Sequence, residues 1–320
     1  MFSSAPAKLL STVFGIASDE TTFRKRGFRS GRPEAQARLE KIGATFVSGY
    51  HAALQSDNVT ELSFSLSATA PDFSGFAFEG AAMALTLLDH LAPWRPSRFA
   101  EFLAGPGDPH AYMLHIGAGW AHARLPWLRY QTNPPPGPLD PLLRWLAVDG
   151  FGFHEGYFAW PRVGERQLVP RGIRGYARRC FDHGLGRSLW FVNCADAQRV
   201  SQTVAGFDSS RRADLWSGIG LACAYAGAYS DRDLTGLCTM AEGYRAELAQ
   251  GAAFAAKARL RAGNPGSHTE RACEVICGTS AREAAGVTDA ALKNLPLDGP
   301  QPAFEVWRQR IQREFASVRR

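Results

Sequence analysis

Three acids in apolar surroundings and two groups of aromatic residues are the parts of this chain that could do chemistry. His154-Glu155-Gly156 sets a base beside an acid. Neighbours on a helix point about 100° apart, so the two need other support to act as an acid–base couple. This is not a His-Glu-x-x-His zinc motif, because the second His is absent. Asp214 lies one turn before Gly218, beside Trp216. An acid there suits the first turn of a helix. If the Trp216 face lines a pocket, desolvation would make Asp214 hold its proton more tightly. Glu79 precedes a glycine, as do Glu155 and Glu242. That shared setting also fits a structural role, with Glu155 near a positive helix start. Asp214, Glu155, His154 and Glu79 are the candidate catalytic residues, for proton transfer.

Arg187 sits in the apolar run Gly184–Phe191. A buried Arg needs a carboxylate or an anionic ligand, and a structural ion pair is the plainer expectation. Phe151, Phe153, Tyr157, Phe158 and Trp160 form one aromatic group; Trp190, Phe191, Trp216 and Tyr225 form another, with Trp120 upstream. Those that face a cleft would suit a long, flat, apolar ligand such as a polyene, and could steady a carbocation. Arg187, Trp190, Trp216, Tyr157, Phe158, Trp120 and Tyr225 are the candidate ligand-binding residues. His115 and His122 share a helix face without a third ligand, and Asp182-His183 is similar. Cys273 and Cys277 share a face without suitable partners, so neither a metal nor a cofactor is expected. Dinucleotide, Walker, nucleophile-elbow and kinase motifs are missing, as is an Asp-Asp-x-x-Asp diphosphate motif.

The elements that must position these residues announce themselves by repetition. Arg98-Phe-Ala-Glu-Phe-Leu-Ala-Gly105 is echoed 101 residues later by Arg199-Val-Ser-Gln-Thr-Val-Ala-Gly206. At the same offset, Gly117-Ala-Gly-Trp-Ala-His-Ala123 is echoed by Gly218-Ile-Gly-Leu-Ala-Cys-Ala224. Weaker matches pair Phe78–Leu85 with Gly184–Phe191 and Glu155–Ala159 with Glu242–Ala246. The pattern predicts an all-α, internally duplicated helical-repeat domain, of the α/α solenoid or toroid-like kind. One half spans 71–165 and the other 172–262, with an N-terminal helical or extended arm at 1–70 and a C-terminal tail and helix at 263–320. Function is expected in the cleft between the halves. His154, Arg187, Asp214 and Trp216 break the symmetry, with Met113 and His115 opposite the last two.

Local signals place the helices. Ser97 caps a helix that Gly105 closes with a left-handed exit. Asp108-Pro109 and Asp140-Pro141 open helices, and Ser209 falls where Asp108 falls. Small residues at Gly218, Ala222 and Ala226 predict close helix packing, in a helix buried on most sides. A helix over Leu234–Leu260, with one apolar stripe, should cover the outside. Arg38–Leu54 reads as helix, and Glu61–Ser67 alternates like a strand or extended arm. A weak helix is expected near 270–277 and a polar one from Ala303. The Pro-rich stretch from Asn133 reads as an extended linker.

Bulk properties bound the rest. The 320 residues are 45% hydrophobic and 21% charged, enough for a substantial core. The net charge of +6 comes from scattered arginines, densest at Arg171, Arg174, Arg178 and Arg179, without the one-faced stripe of a nucleic-acid binder. The six cysteines are not a disulfide framework. The N-terminus is a poor secretion signal and no run is long enough to span a membrane, so a cytoplasmic protein is expected.

Phe78-Glu-Gly-Ala-Ala-Met-Ala84, Gly152-Phe-His-Glu-Gly-Tyr-Phe158, Gly184–Phe191 and Arg212–Ala222, with Phe23-Arg-Lys-Arg-Gly-Phe28 and Gly49-Tyr-His51, resemble a bacterial family of unknown function. Its members are associated with enediyne-type polyketide gene clusters and labelled UnbL-type enediyne biosynthesis proteins. The resemblance covers most of residues 20–260. It implies a role in specialised-metabolite biosynthesis and supplies no catalytic residues. Two readings follow. In the first, the protein binds or transforms a long polyene or isoprenoid chain between its halves, as a cofactor-free cyclase or isomerase using a buried acid. In the second, it is a helical-repeat scaffold that docks a polyketide synthase or another biosynthetic partner.

Overall fold

The computed structural model describes residues 12–125 and 138–317, and among these it is all helix, without a strand. The main helices are α1 (Pro33–Gln55), α2 (Val59–Ser67), α3 (Pro71–Leu91), α4 (Arg98–Ala104), α5 (Ala111–Arg124), α6 (Trp145–Phe158), α7 (Tyr176–Val192), α8 (Ala197–Ala205), α9 (Ser209–Ala226), α10 (Asp231–Met240), α11 (Arg245–Arg261), α12 (Ser267–Ile276), α13 (Ala281–Leu292) and α14 (Ala303–Ser317). Seven of them stand side by side in the order α1, α3, α5, α6, α7, α9, α11, each packed on the next. The shorter helices bridge neighbours, and α12, α13 and α14 close over α11.

Glycines set the spacing of the row. Gly117, Gly150, Gly184, Gly218 and Gly251 recur every 33 or 34 residues, and Gly80 stands in the same register on α3. A Cβ on Gly150 would overlap the Ile116 carbonyl of the preceding helix; on Gly184, the Asp149 carbonyl; on Gly218, that of His183. Two residues further along, Gly119 lies against the Ala147 carbonyl of the following helix, and Gly220 against that of Leu248. The four middle helices, α5, α6, α7 and α9, therefore each carry one glycine facing back and one facing forward. Backbones this close leave no room for a side chain, which is why the row tolerates the intrinsic cost of glycine in a helix.

The repeating unit is thus one helix with its connection. The 101-residue echo spans three such steps, from Gly117 to Gly218. The row runs unbroken across residues 165–172, where α6 packs on α7 as closely as any other pair. The two weaker matches fall out of register. Gly80 aligns in space with Gly184, not Gly186. Glu155 lies in the last turn of α6, whereas Glu242 lies in the turn between α10 and α11.

Other local expectations are corrected. Residues 61–67 belong to α2: Asn58 caps it by accepting from the Glu61 amide at 2.9 Å, and Val59, Leu62 and Leu66 form a buried helical stripe. The alternation was misleading because Phe64 points outward, 81% exposed. The helix expected over Leu234–Leu260 is two, broken at Ala241–Tyr244, where Gly243 takes a left-handed φ of 85°. Its second part, α11, is buried rather than outer, because the chain beyond residue 263 packs over it. Asp208, not Ser209, caps α9; a 3₁₀ turn over Asp108–His110 precedes α5; and Gly105 leaves α4 at a φ of −120°, outside the left-handed region. Ser97 does cap α4, at 3.0 Å from the Ala100 amide. The linker from Asn133 lies outside the described residues up to residue 137.

The row curls until its ends meet. Arg38 on α1 donates to the Ala226 carbonyl at the end of α9 at 2.6 Å. Arg259 on α11 donates to the Asp72 carbonyl at the start of α3 at 3.1 Å. Among the described residues no helix is long and apolar enough to cross a membrane.

Candidate functional site

The side chains nearly fill the curl and leave a narrow cavity of about 40 Å³ between them, smaller than a usual ligand pocket. Its wall follows from the glycine register. Residues three and seven places after a register glycine lie on one helix face. Three places on stand Trp120, Phe153, Arg187 and Leu221; seven places on stand Tyr157, Phe191 and Tyr225; all seven line the cavity. α1 contributes Ile42, Phe46 and Val47, and Phe76 and Glu79 come from α3. The aromatic rings pack on each other: Trp120 lies 4.4 Å from Phe46 and 5.1 Å from Phe153, centroid to centroid.

Two charged side chains enter this apolar wall. Glu79 accepts from Trp120 Nε1 at 3.0 Å, and Arg187 Nη2 lies 3.8 Å from the same carboxylate oxygen. Arg187 is held more tightly by Asp149, to which its Nη1 donates at 2.5 Å, and its guanidinium stands 4.8 Å from the centroid of Phe153. Asp149 also accepts from His183 Nδ1, which fixes the imidazole proton on that nitrogen. Burial pushes the Glu79 carboxyl up to about 7, with Asp149 adding to the effect, while Arg187 and the Trp120 hydrogen bond hold it back. Burial also opposes ionisation of Asp149, but Arg187 and His183 outweigh it and keep that carboxyl below its usual range. Burial keeps His183 neutral by lowering its pKa. The cluster therefore pairs one ionised acid with one guanidinium and leaves a second acid able to carry a proton near neutrality. Such a group in an aromatic pocket can give a proton to a bound molecule.

Of the candidates, Glu79, Arg187, Trp120, Tyr157, Phe158 and Tyr225 line the cavity together. The others stand apart from its lining. His154 is buried behind it, its ring against Trp120 and Phe158. Glu155 is buried at the end of α6, contacting His154 Nδ1 at 3.3 Å and paired with Arg162. It is not at a helix start, and the two adjacent side chains do meet. Asp214 lies in the second turn of α9, within an ionic network: Arg308 reaches it at 2.7 Å and Arg179 at 2.9 Å. Burial raises its proton affinity, and the two guanidinium groups overcome this and lower it. Trp190 is core, donating to the Gly227 carbonyl at 2.9 Å, and Trp216 is core as well. His115 bonds the Ala111 carbonyl and the Asp140 amide. Asp182 pairs with Arg211. The cysteines are buried and form no disulfide, and no cluster of metal-ligand type occurs among the described residues.

Asp149 and the α1 wall escaped the sequence reading. The signal for Asp149 was present: Glu79, Asp149, His183, Ser217 and Gln250 each directly precede a register glycine. All five are buried; Asp149 accepts from His183, and Ser217 donates to Gln250 at 2.7 Å.

Fold and site together define an all-α protein, a curled row of glycine-spaced helices around an aromatic cavity with a buried acid. The chain belongs to the DUF1702 family, described as a protein of unknown function, whose family model matches residues 6–315. No curated protein and no solved structure matches it.

Proposed function

We propose that the protein binds a long, unsaturated, apolar chain at this cavity, whose aromatic side chains must move apart to admit it, and rearranges it as a cofactor-free cyclase or isomerase, with Glu79 as the acid. The observation that supports this is Glu79 itself, a carboxyl pushed up to about 7 inside an aromatic wall. Glu79 transfers its proton to one carbon of a double bond; a C–H bond forms, the π bond breaks, and the adjacent carbon becomes cationic. For a cyclase, the π electrons of a second double bond then close a C–C bond. Loss of a proton from a neighbouring carbon to the Glu79 carboxylate restores the acid and gives an isomer of the substrate. Trp120, Phe153 and Tyr157 line the cavity, and a ring face turned toward the cation steadies it. Asp149 matches the charge of Arg187, so the guanidinium does not oppose it. A place in specialised-metabolite biosynthesis, with polyketides of the enediyne type, belongs to the same proposal.

The test is deletion of the gene in its host with mass analysis of accumulating polyenes or terpenoids, followed by complementation with Glu79→Gln. An accumulating chain that the wild-type gene clears and the variant does not is the expected result. Full complementation by the variant would instead favour the scaffold reading, in which the helical row docks a biosynthetic partner.

A further inference from the structure

Among the described residues of the cavity wall, Tyr225 alone has a buried polar side-chain atom without a partner. Its ring is fixed on both sides. The Arg259 guanidinium stands 4.4 Å from the ring centroid, and Phe76 meets it edge-on at 5.2 Å. Arg259 also donates to the Tyr225 carbonyl at 2.6 Å. Yet the phenolic oxygen is buried and has no hydrogen-bond partner among the described residues. Its position is defined by Gly75, where a Cβ would occupy the space of the hydroxyl. Gly75 and Glu79 are one turn apart on α3, so the free hydroxyl and the carboxyl are presented side by side, roughly 5–6 Å apart at the backbone end. A buried, immobilised and unpaired donor costs stability unless something else uses it.

The charges nearby say what that partner is. Arg187 is already matched by Asp149 at 2.5 Å. Glu79 is the next acid, and Arg259 lies behind the Tyr225 ring, donating to backbone carbonyls and 3.4 Å from Asp72, with its Nε left without an acceptor among the described residues. A ligand carboxylate beside Glu79 would add a negative charge next to Asp149, which already takes the Arg187 guanidinium, while Arg259 stands on the other side of the Tyr225 ring; burying such a charge is costly. An uncharged oxygen has no such penalty and can accept from both Tyr225 and the protonated Glu79.

We propose that the ligand of this cavity carries an uncharged oxygen function, a hydroxyl or a carbonyl, held by the Tyr225 hydroxyl beside Glu79, and that carboxylates are selected against. This rests on reading the cavity as the site of an apolar chain. It adds that the chain has a polar end, and where that end lies.

Three probes of one carbon skeleton test it: farnesene, farnesol and farnesoic acid, titrated calorimetrically into the intact protein at pH 8. Farnesol should bind about tenfold more tightly than farnesene, the worth of one good hydrogen bond, and farnesoate more weakly than either. Tyr225→Phe should abolish the farnesol advantage and leave farnesene unchanged. That variant only deletes an unpaired buried hydroxyl, so it should fold as well as the wild type. Gly75→Ala, which displaces the hydroxyl without removing it, should act in the same way. Farnesoate binding most tightly, or a farnesol advantage that survives Tyr225→Phe, would overturn the proposal while leaving the cavity reading intact. Failure of all three probes to bind would overturn both.

Discussion

Arg187 is shared unequally between two buried acids, 2.5 Å from Asp149 and 3.8 Å from Glu79. The inequality decides which acid is ionised. Asp149 accepts from the guanidinium and from His183 Nδ1 and stays charged; Glu79 receives what attraction is left and is pushed up by burial. Asp149 is thus a positioning residue for the acid. Asp149→Asn should release Arg187 toward Glu79 and remove a like charge, and both effects lower the pH at which Glu79 ionises. The infrared band of the protonated carboxyl, assigned by its absence in Glu79→Gln, should then disappear at a lower pH than in the wild type. An unchanged titration would sink this account. The variant also breaks a buried ion pair, at a cost of about 3–5 kcal/mol.

Glu79 gives stability a pH dependence of unusual sign for a carboxylate. Its folded pKa of about 7 lies above the ordinary 4.5, so between those values the folded state holds the proton more tightly than the unfolded state. Stability therefore falls as pH rises through that window, by on the order of 3 kcal/mol. Glu79→Gln keeps an acceptor for Trp120 and removes the titration. In urea denaturation from pH 5 to pH 8, the variant should gain on the wild type as pH rises. A constant difference across the range would show that Glu79 is not the group responsible.

The glycine ladder predicts opposite outcomes for one substitution at two helical sites. At Gly119 a Cβ would overlap the Ala147 carbonyl, so Gly119→Ala must push α5 and α6 apart. Overpacking of this kind costs about 1–3 kcal/mol, more than the roughly 1 kcal/mol that Ala gains over Gly in a helix. At Gly286, exposed on α13, an added Cβ meets nothing within 4 Å. Gly286→Ala should stabilise by about 0.4–1 kcal/mol. Thermal melting of the two variants checks both signs.

The ladder also explains what could be read from the sequence. Helices and several of their starts were legible because caps and apolar spacing are local. The repeat was visible, but at three times its true length: successive helices share only a glycine pair, and it took the longer match from Gly117 to Ala123 and Gly218 to Ala224 to stand out. Glu79, Arg187 and their aromatic neighbours could be named as exceptions in apolar runs. Their grouping could not, since it depends on the curl that brings α1 and α3 round to α9. Asp214 shows the limit from the other side. Beside Trp216 it looked equally fit for a pocket or a helix start, and its partner Arg308 is 94 positions away, in a stretch that read as a polar terminal helix.

That distant partner makes Asp214 a test of the division between structure and chemistry. Arg308 reaches Asp214 at 2.7 Å, Glu305 at 3.2 Å and the Gln250 amide oxygen at 3.2 Å; Arg179 joins Asp214 and Glu305 from the other side. The network ties α14 to α7, α9 and α11, and none of its members lines the cavity. Asp214 carries a lowered pKa against the cost of burial, so its contribution is present above the usual carboxylate range and is lost as pH falls through it to the folded value, opposite in sign to Glu79. Asp214→Asn leaves two buried guanidinium groups short of an acid and should cost about 3–5 kcal/mol at neutral pH, with a smaller difference from the wild type in acid. Farnesol affinity, measured where the variant is still folded, should be unchanged. A variant of full stability that had lost ligand binding would return Asp214 to the candidate site and remove it from the frame.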